Sequence, residues 1–304
     1  MITVSYAAAA EGQGNDRARV TVPTLAEMKR TGEAIVMVTA YDHPSARIVE
    51  EAGVDVVLVG DSGAMTVLGY PSTVEVGLEE MLMMAKAVRR GLSRPLLVGD
   101  LPFGSYEVSN EQAVSTAIRF IKEAGCDAVK LEGGGPNSQR RAEAMINAGI
   151  PVMGHVGLTP QTAAARGGLR AQGRTAEAAE RIGREAQALT AVGCFALIFE
   201  AIPAAVTAIL MPMIEIPVIG IGAGGATDGQ VLVFHDLLGL GEGPRARFVK
   251  QYADLHSPMV DGVGSFAREV RERGYPQHHH EYGIAPTELT ALQQRLNGPD
   301  AADR

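Results

Sequence analysis

Alternating strand-like and helical runs predict an α/β fold, a single TIM-type (β/α)8 barrel with a short N-terminal helix and flexible terminal extensions. Two observations support this prediction. A small residue and a glycine directly precede several apolar runs, as at a helix end that leads into a strand, at Gly53, Gly125, Gly149 and Gly193. Eight runs have strand length, and they lie near 35–39, 55–60, 96–99, 128–132, 151–155, 195–199, 217–221 and 230–235.

The competing architecture is an open, doubly wound parallel sheet. Such a sheet carries a glycine-rich fingerprint directly after its first strand, where it binds phosphate groups. Here the first strand is followed by Thr39-Ala40-Tyr41-Asp42, and the glycine-rich run at 220–224 follows the seventh strand instead. The order of these segments therefore favours the closed barrel.

The chain of 304 residues is long enough for one large domain with extensions. Both ends lack sustained apolar periodicity and are rich in small or polar residues. We therefore predict a flexible N-terminal extension over residues 1–22, a catalytic barrel over 23–284 and a polar C-terminal tail over 285–304.

Composition and charge restrict the partners of the protein. The formal net charge is −8, and no basic stripe interleaved with aromatic residues occurs, which argues against nucleic acid. No apolar run has the length of a membrane span, and no secretory signal is recognisable. The two cysteines, Cys126 and Cys194, stand among small residues at strand starts, as core thiols do in a reducing compartment. We predict a cytoplasmic protein without nucleic-acid or membrane partners.

Four predicted strands end on or near a carboxylate, at Asp61, Asp100, Glu132 and Glu200. In a parallel barrel these strand ends meet on one face, which houses the chemistry. Each acid could instead cap the following helix, although Glu132 and Glu200 are poor N-cap residues. The period of two along a strand also places Lys130 and Glu132 on the same face. Charged groups inside a barrel mouth are costly unless they are used, so the set predicts a metal and general-base site.

Seven motifs follow one another between about residues 24 and 282. They are Thr39-Ala40-Tyr41-Asp42, Val59-Gly60-Asp61-Ser62, Asp100-Leu101-Pro102-Phe103, Lys130-Leu131-Glu132-Gly133-Gly134, Gly154-His155-Val156-Gly157-Leu158-Thr159-Pro160-Gln161, residues 220–224 with Asp228-Gly229-Gln230, and His235-Asp236. In this order they resemble the ketopantoate hydroxymethyltransferase (3-methyl-2-oxobutanoate hydroxymethyltransferase) family. Seven motifs in order are far more specific than any one of them.

The resemblance implies a Mg²⁺-dependent transfer of a hydroxymethyl group from 5,10-methylenetetrahydrofolate to 3-methyl-2-oxobutanoate (α-ketoisovalerate). The product would be 2-dehydropantoate, in the first step of pantothenate biosynthesis. The partners so implied are a small 2-oxo acid, a folate and further copies of the chain in a large homo-oligomer, a decamer.

The resemblance also implies roles for individual residues. Glu200 would be the catalytic base. The metal site would be Asp61 and Asp100, with Glu132 in support, and the substrate-binding residues would be Asp61, Ser62, Asp100, Lys130 and His155. His155 and Tyr41 could each have a structural role instead of contacting the substrate. The chemistry agrees: Mg²⁺ takes one or two carboxylates together with substrate oxygens, and as a Lewis acid it would stabilise the enolate formed when a base removes the C3 proton.

Two loops depart from the family pattern and leave the identity of the 2-oxo acid open. Asp61-Ser62-Gly63-Ala64-Met65 stands where the family has Asp-Ser-Leu-Gly-Met, so a conformationally free glycine is expected to reshape the loop that presents Ser62. Arg166-Gly167-Gly168-Leu169-Arg170-Ala171-Gln172-Gly173 lacks the aromatic residue of the family, and we expect this loop to border the site.

Two other functions compete with the leading hypothesis. One is a related barrel lyase, aldolase or mutase that acts on another 2-oxo acid through a metal-bound enolate, because fold and metal do not determine the electrophile. The other is a catalytically silent binding subunit. The presence of four carboxylates and Lys130 argues against the silent subunit, since packing does not require them.

Overall fold

The computed structural model describes residues 18–241 and 246–297, except for the side chain of Arg166. The chain divides into two units, residues 1–253 and 254–304. The predicted N-terminal extension, residues 1–22, lies mostly outside the described part of the chain, as do residues 298–304 of the predicted tail.

The first unit contains a closed barrel of eight parallel strands in chain order, in which the last strand pairs with the first. The predicted fold class is therefore confirmed. The last strand ends at Leu232 rather than near 235, because a helix begins at Phe234. The strands are β1 Ile35–Thr39, β2 Val56–Val59, β3 Leu96–Asp100, β4 Ala128–Lys130, β5 Val152–Gly157, β6 Ala196–Glu200, β7 Val218–Ile221 and β8 Gly229–Leu232.

Helices connect the strands, and their ends follow the chemistry of the local sequence. Thr21, Asp42, Ser109 and Thr175 each accept a hydrogen bond from the backbone N–H three residues on, as N-cap residues do. The four glycines predicted at helix ends all have positive φ, from 70° at Gly125 to 101° at Gly193. The helices are α1 Val22–Thr31, α2 His43–Glu51, α3 Gly63–Thr66, α4 Leu78–Arg89, α5 Asn110–Ala124, α6 Pro136–Asn147, α7 Ala176–Ala191, α8 Ala204–Leu210 and α9 Phe234–Leu238, with short 3-10 helices at Pro160–Arg166 and Met211–Met213.

The apolar core has two layers. Inward-facing strand residues such as Met37 and Ile198 fill the barrel, and Leu25 and Met28 of α1 pack against the same cluster. A second layer, which includes Phe120 of α5, lies between the strands and the surrounding helices. Lys29 of α1 lies 2.8 Å from Asp228, the residue just before β8, so this helix contacts the amino-terminal end of a strand and leaves the carboxyl ends available for a site.

The second unit consists of α10 His256–Arg271, a 3-10 helix at His278–His280 and α11 Pro286–Asn297. Helix α11 lies within the segment predicted as a polar tail, and the unit begins before the predicted end of the barrel domain at residue 284. The predicted domain bounds remain a prediction. None of the helices in the described part of the chain is long and apolar enough to cross a membrane.

Candidate active site

A cavity of about 980 Å³ opens at the carboxyl ends of the strands. All four acids that the sequence analysis selected line this cavity, together with Ser62, Lys130 and His155. Their positions follow from the barrel. Asp100, Lys130 and Glu200 are the last residues of β3, β4 and β6, whereas Asp61 and Glu132 lie two residues beyond β2 and β4. His155 lies within β5, which continues two residues further than predicted.

None of the four acids caps the helix that follows it. The N-cap residues of those helices are Ser62, Ser109, Gly135 and Pro203. The capping explanation, which the sequence left open, therefore does not account for acids at these positions.

The most buried part of the site links three acids to one ammonium group. The Lys130 Nζ atom lies 2.8 Å from Asp100 Oδ1 and 3.7 Å from Glu132 Oε1. The backbone N–H of Asp61 donates a hydrogen bond to Asp100 Oδ2 at 3.1 Å. The side chains of Lys130, Asp100 and Glu132 are each at most 5% exposed. Asp61 is also buried and acts electrostatically on Lys130, so three buried carboxyl groups lie near this ammonium group.

Burial, together with the neighbouring carboxyl groups, changes the pKa values of the acids. Burial, and then the neighbouring Asp100, raise the pKa of Asp61 to about 7, although Lys130 and a hydrogen bond from Gln161 oppose the rise. Burial also raises the pKa of Glu132 well above its usual value, against the attraction of Lys130. Burial alone would lower the pKa of Lys130, but Asp100, Glu132 and Asp61 outweigh burial and raise it. Lys130 is therefore charged near pH 7.

His155 lies between two of the acids. Its Nδ1 is 3.6 Å from Glu132 Oε1, and its Nε2 is 3.3 Å from Glu200 Oε2. Among the described residues, neither ring nitrogen has a hydrogen-bond partner of acceptable geometry, although the side chain is buried. Burial, and then Lys130, lower the pKa of His155, so its imidazole is neutral near pH 7. A histidine with purely structural hydrogen bonds would not leave both nitrogens without partners, which favours a role toward a ligand.

Glu200 is held by its backbone. Its carbonyl oxygen accepts a hydrogen bond from Leu158 N–H at 2.9 Å. Ala201, the next residue, has φ +49°, which is uncommon for a residue with a side chain. This conformation is fixed by hydrogen bonds from Ala201 N–H to Ile221 O at 2.8 Å and from Gln172 N–H to Ala201 O at 2.9 Å. The Glu200 side chain is 17% exposed and thus more accessible than Glu132, at 3%.

Gly157 allows β5 to pass close to the Glu200 turn. Its φ is +99°, and a Cβ atom there would lie 2.3 Å from the Glu200 carbonyl oxygen. Gly149 provides a matched comparison, because its φ is +84° but a Cβ atom there would lie within 4 Å of no residue beyond its chain neighbours. Comparing substitutions at the two glycines therefore distinguishes the cost of backbone strain from the cost of a steric clash with Glu200.

We expect Gly157→Ala to be more destabilising than Gly149→Ala. Gly149→Ala should cost about 1–2 kcal/mol through its left-handed backbone alone. Gly157→Ala should cost about 1–3 kcal/mol more, because the added methyl group must displace the Glu200 turn. Urea unfolding of both variants measures the difference, and activity should fall at Gly157 only. Equal free energies of unfolding for the two variants would show that the Glu200 turn can move to accommodate the methyl group without loss of stability.

The altered loop after Ser62 is explained by packing. Gly63 is the first residue of the helix α3, so it does not use the conformational freedom that the sequence analysis expected. A Cβ atom at Gly63 would instead lie 2.7 Å from Tyr41 Cδ1. The glycine thus makes room for the buried Tyr41 ring, whose hydroxyl is 2.8 Å from Ser62 Oγ. A leucine at this position would collide with Tyr41.

The second altered loop borders the cavity, as expected, through Leu169, Arg170 and Ala171. Two further residues of the site had no role in the sequence analysis. Thr73 lines the cavity, and its buried hydroxyl has no hydrogen-bond partner among the described residues. Gln161, the last residue of a recognised motif, donates a hydrogen bond to Asp61 Oδ2 at 2.9 Å. Its place in that motif was the only available signal.

The carboxylates of the cavity are the candidate ligands of a metal ion. Across residues 18–241 and 246–297, no three His, Cys, Asp or Glu side chains are grouped as ligands of one metal ion. Mg²⁺, however, usually takes only one or two carboxylates and completes its shell with water and substrate oxygens. The relevant arrangement is thus the Asp61 and Asp100 pair, which fits such a shell because both residues are buried and line the cavity.

A family model described as ketopantoate hydroxymethyltransferase matches residues 19–278. The chain belongs to the ketopantoate hydroxymethyltransferase family. It is therefore an enzyme of the hydroxymethyltransferase class. A relative from Carboxydothermus hydrogenoformans, named 3-methyl-2-oxobutanoate hydroxymethyltransferase, is 50% identical over 274 residues, which cover 90% of this chain and 99% of the relative. A rice relative, 3-methyl-2-oxobutanoate hydroxymethyltransferase 1, mitochondrial, is 47% identical over 91% of this chain and 78% of its own length.

Solved structures with the same barrel come from other enzymes. Phosphonopyruvate hydrolase in complex with oxalate and Mg²⁺ superposes with a TM-score of 0.56 at 15% identity, over 93% of this chain and 99% of that chain. For 2,3-dimethylmalate lyase the TM-score is 0.56 at 14% identity, over 94% and 97%. At this identity the likeness shows that this member of the ketopantoate hydroxymethyltransferase family shares their fold, and nothing about its substrate.

Proposed function

We propose that the protein transfers a hydroxymethyl group from 5,10-methylenetetrahydrofolate to 3-methyl-2-oxobutanoate and forms 2-dehydropantoate. The names of the relatives support the acceptor and the transferred group. The observation that carries the proposal is the pairing, in one cavity, of an accessible carboxylate, Glu200, with a buried Asp61, Asp100 and Lys130 cluster. Enolate formation needs both parts, a base and a positively charged site for the developing oxyanion.

Lys130 and Ser62 would hold the carboxylate of the 2-oxo acid. An ammonium group has three N–H donors, and Asp100 takes one of them at 2.8 Å. Lys130 therefore has donors left for a substrate oxygen. The Ser62 hydroxyl faces the same cavity and is fixed by Tyr41.

Asp61 and Asp100 would hold Mg²⁺, with Glu132 in support. When bound, the metal supplies Lewis-acid stabilisation of the negative charge that develops on the keto oxygen. The donor set fits this role, because hard carboxylate oxygens suit Mg²⁺. Burial, and then Asp100, raise the pKa of Asp61, and a bound cation would offset the repulsion between these two carboxylates.

Glu200 would remove the C3 proton of the bound acid. It lies at the end of β6, on a backbone fixed on both sides, with part of its carboxylate accessible to a substrate. His155 Nε2, 3.3 Å from Glu200 Oε2, lies close enough to orient the base or to contact the substrate.

The folate would occupy the outer part of the cavity. At about 980 Å³ the cavity lies at the upper end of the usual size of ligand sites, roughly 300–1,000 Å³. A five-carbon acid fills only a small part of such a volume. The outer wall includes Leu169, Arg170 and Phe248, which offer apolar surface and a cation to a large anionic donor. We also propose, from the family resemblance, that the protein is cytoplasmic and forms a large homo-oligomer.

Exchange of the C3 proton tests the proposal directly. In D₂O, the protein with Mg²⁺ should exchange the C3 proton of 3-methyl-2-oxobutanoate, as followed by NMR, and should release 2-dehydropantoate only when the folate donor is added. Excess EDTA should stop both reactions reversibly. Undiminished exchange in EDTA would exclude the metal, and exchange without product formation would favour a lyase or mutase.

A further inference from the structure

Gln161 contacts two of the acids proposed for the metal site. Its buried side chain donates from Nε2 to Asp61 Oδ2 at 2.9 Å and to the Leu101 carbonyl oxygen at 3.0 Å. Its backbone N–H donates to Glu132 Oε2 at 3.1 Å. Its Oε1 accepts a hydrogen bond from the Tyr106 hydroxyl at 2.6 Å. One residue thus joins Asp61 and Glu132, and every polar atom of its side chain is used.

The orientation of the Gln161 amide is set by Tyr106. The Tyr106 hydroxyl accepts a hydrogen bond from the backbone N–H of Glu132 at 3.3 Å, so its own proton is available for Gln161 Oε1. The amide NH₂ then donates one hydrogen bond to Asp61 Oδ2 and one to the Leu101 carbonyl oxygen. A reversed amide would place oxygen against oxygen at both contacts. The arrangement is therefore the one with every donor paired to an acceptor.

The Gln161 amide restrains the Asp61 carboxylate. Asp61 and Asp100 are buried next to each other, and without a fixed partner the Asp61 carboxylate could rotate away from its like-charged neighbour. The hydrogen bond from Gln161 engages Oδ2 and fixes the plane of the carboxylate. Hydrogen bonds of this kind orient metal-binding carboxylates in other proteins and influence metal affinity.

We propose that Gln161 is a positioning residue that holds Asp61 in the orientation needed for metal binding, with Tyr106 fixing its amide. The inference rests on the proposed function, since it assumes that Asp61 binds the metal. A purely structural role is the alternative, because buried polar groups are hydrogen-bonded in any fold. The two roles differ in what a variant changes: a structural residue affects stability alone, whereas a positioning residue affects metal affinity as well.

Three variants separate these roles. Gln161→Met has a similar length but no polar atoms, and it keeps the backbone N–H that binds Glu132. Tyr106→Phe removes the hydroxyl that orients the amide, together with the long hydrogen bond that this hydroxyl accepts from the backbone N–H of Glu132. Tyr70→Phe is the matched control, because the Tyr70 hydroxyl also donates one hydrogen bond, at 2.8 Å to Glu80, a residue that does not line the cavity.

Mn²⁺ binding to the substrate-free protein, measured by EPR, is the decisive readout, with thermal unfolding recorded for each variant. We expect Gln161→Met to weaken Mn²⁺ binding by roughly 10-fold to 100-fold. Tyr106→Phe should weaken it less, by about 2-fold to 10-fold, the usual range for one neutral hydrogen bond. Tyr70→Phe should bind as the wild type does.

Wild-type Mn²⁺ affinity in both Gln161→Met and Tyr106→Phe would overturn the inference, whatever their thermal stability. An equal loss of affinity in Tyr70→Phe would also overturn it, since the effect would then not depend on Asp61. A wild-type protein that binds no Mn²⁺ would instead contradict the proposed metal site, and the inference would fail with it. The outcomes therefore distinguish failure of the inference from failure of the proposed function.

Discussion

Glu200→Gln should slow exchange of the C3 proton by roughly 10²-fold to 10⁴-fold, the usual contribution of a positioned general base. The amide keeps the size of the side chain but cannot accept the proton. Because Asp61, Asp100 and Lys130 are untouched, binding of 3-methyl-2-oxobutanoate and of Mn²⁺ should remain near that of the wild type. Exchange in D₂O and calorimetric binding of the acid provide the two measurements.

Glu215→Gln is the control, because Glu215 is an exposed glutamate that does not line the cavity. It should leave exchange unchanged. If Glu200→Gln exchanged the C3 proton at the wild-type rate, Glu200 would not be the base. His155 would then be the next candidate, since its Nε2 lies 3.3 Å from Glu200 Oε2 in the same cavity.

Asp100→Ala is the second variant with a large expected effect, and it should damage stability as well as activity. Asp100 is the nearest partner of the buried Lys130 ammonium, and removing one member of a buried ion pair costs about 3–5 kcal/mol. Loss of a proposed metal ligand should also abolish proton exchange. Urea unfolding and the exchange assay measure the two effects separately.

A second substitution distinguishes these effects. Asp100→Ala combined with Lys130→Met also removes the ammonium group that has lost its nearest partner. Asp61 and Glu132 then lose their cation, but burial already raises the pKa of both, so they can be neutral. The double variant should therefore regain part of the lost stability but none of the activity. Glu79→Ala, which breaks an exposed ion pair with Arg119, should change stability little. Full activity in Asp100→Ala would show that Asp100 neither binds the metal nor holds Lys130 in place.

Much of the fold could be predicted from the sequence because its signals are local. Apolar runs of strand length and glycines before the strands depend on neighbouring residues only, and they identified the barrel. The same local logic placed Lys130 and Glu132 on one face, and their charged atoms lie 3.7 Å apart. The eighth strand was extended too far because an apolar run, which continues through Val233 and Phe234, does not show where a strand gives way to a helix.

Other features depend on contacts between distant parts of the chain. The pairing of Lys130 with Asp100 joins the ends of neighbouring strands β4 and β3, and which side chains meet there depends on the register of the closed barrel. The requirement for a glycine at position 63 could not be predicted either, because it depends on the Tyr41 ring, which comes from the end of another strand. A sequence pattern shows which residues are small, but not what lies against them.

The sequence by itself determined the fold class, the family resemblance and the convergence of Asp61, Asp100, Glu132 and Glu200, since strand period and strand order fix which residues reach the barrel mouth. Only the tertiary structure decided how these groups are connected. Gln161 reaches Asp61 across 100 positions of the chain, and the hydrogen bonds that fix Ala201 come from two other segments. Such contacts form only when the barrel closes, because closure brings together side chains whose separation along the chain carries no local signal.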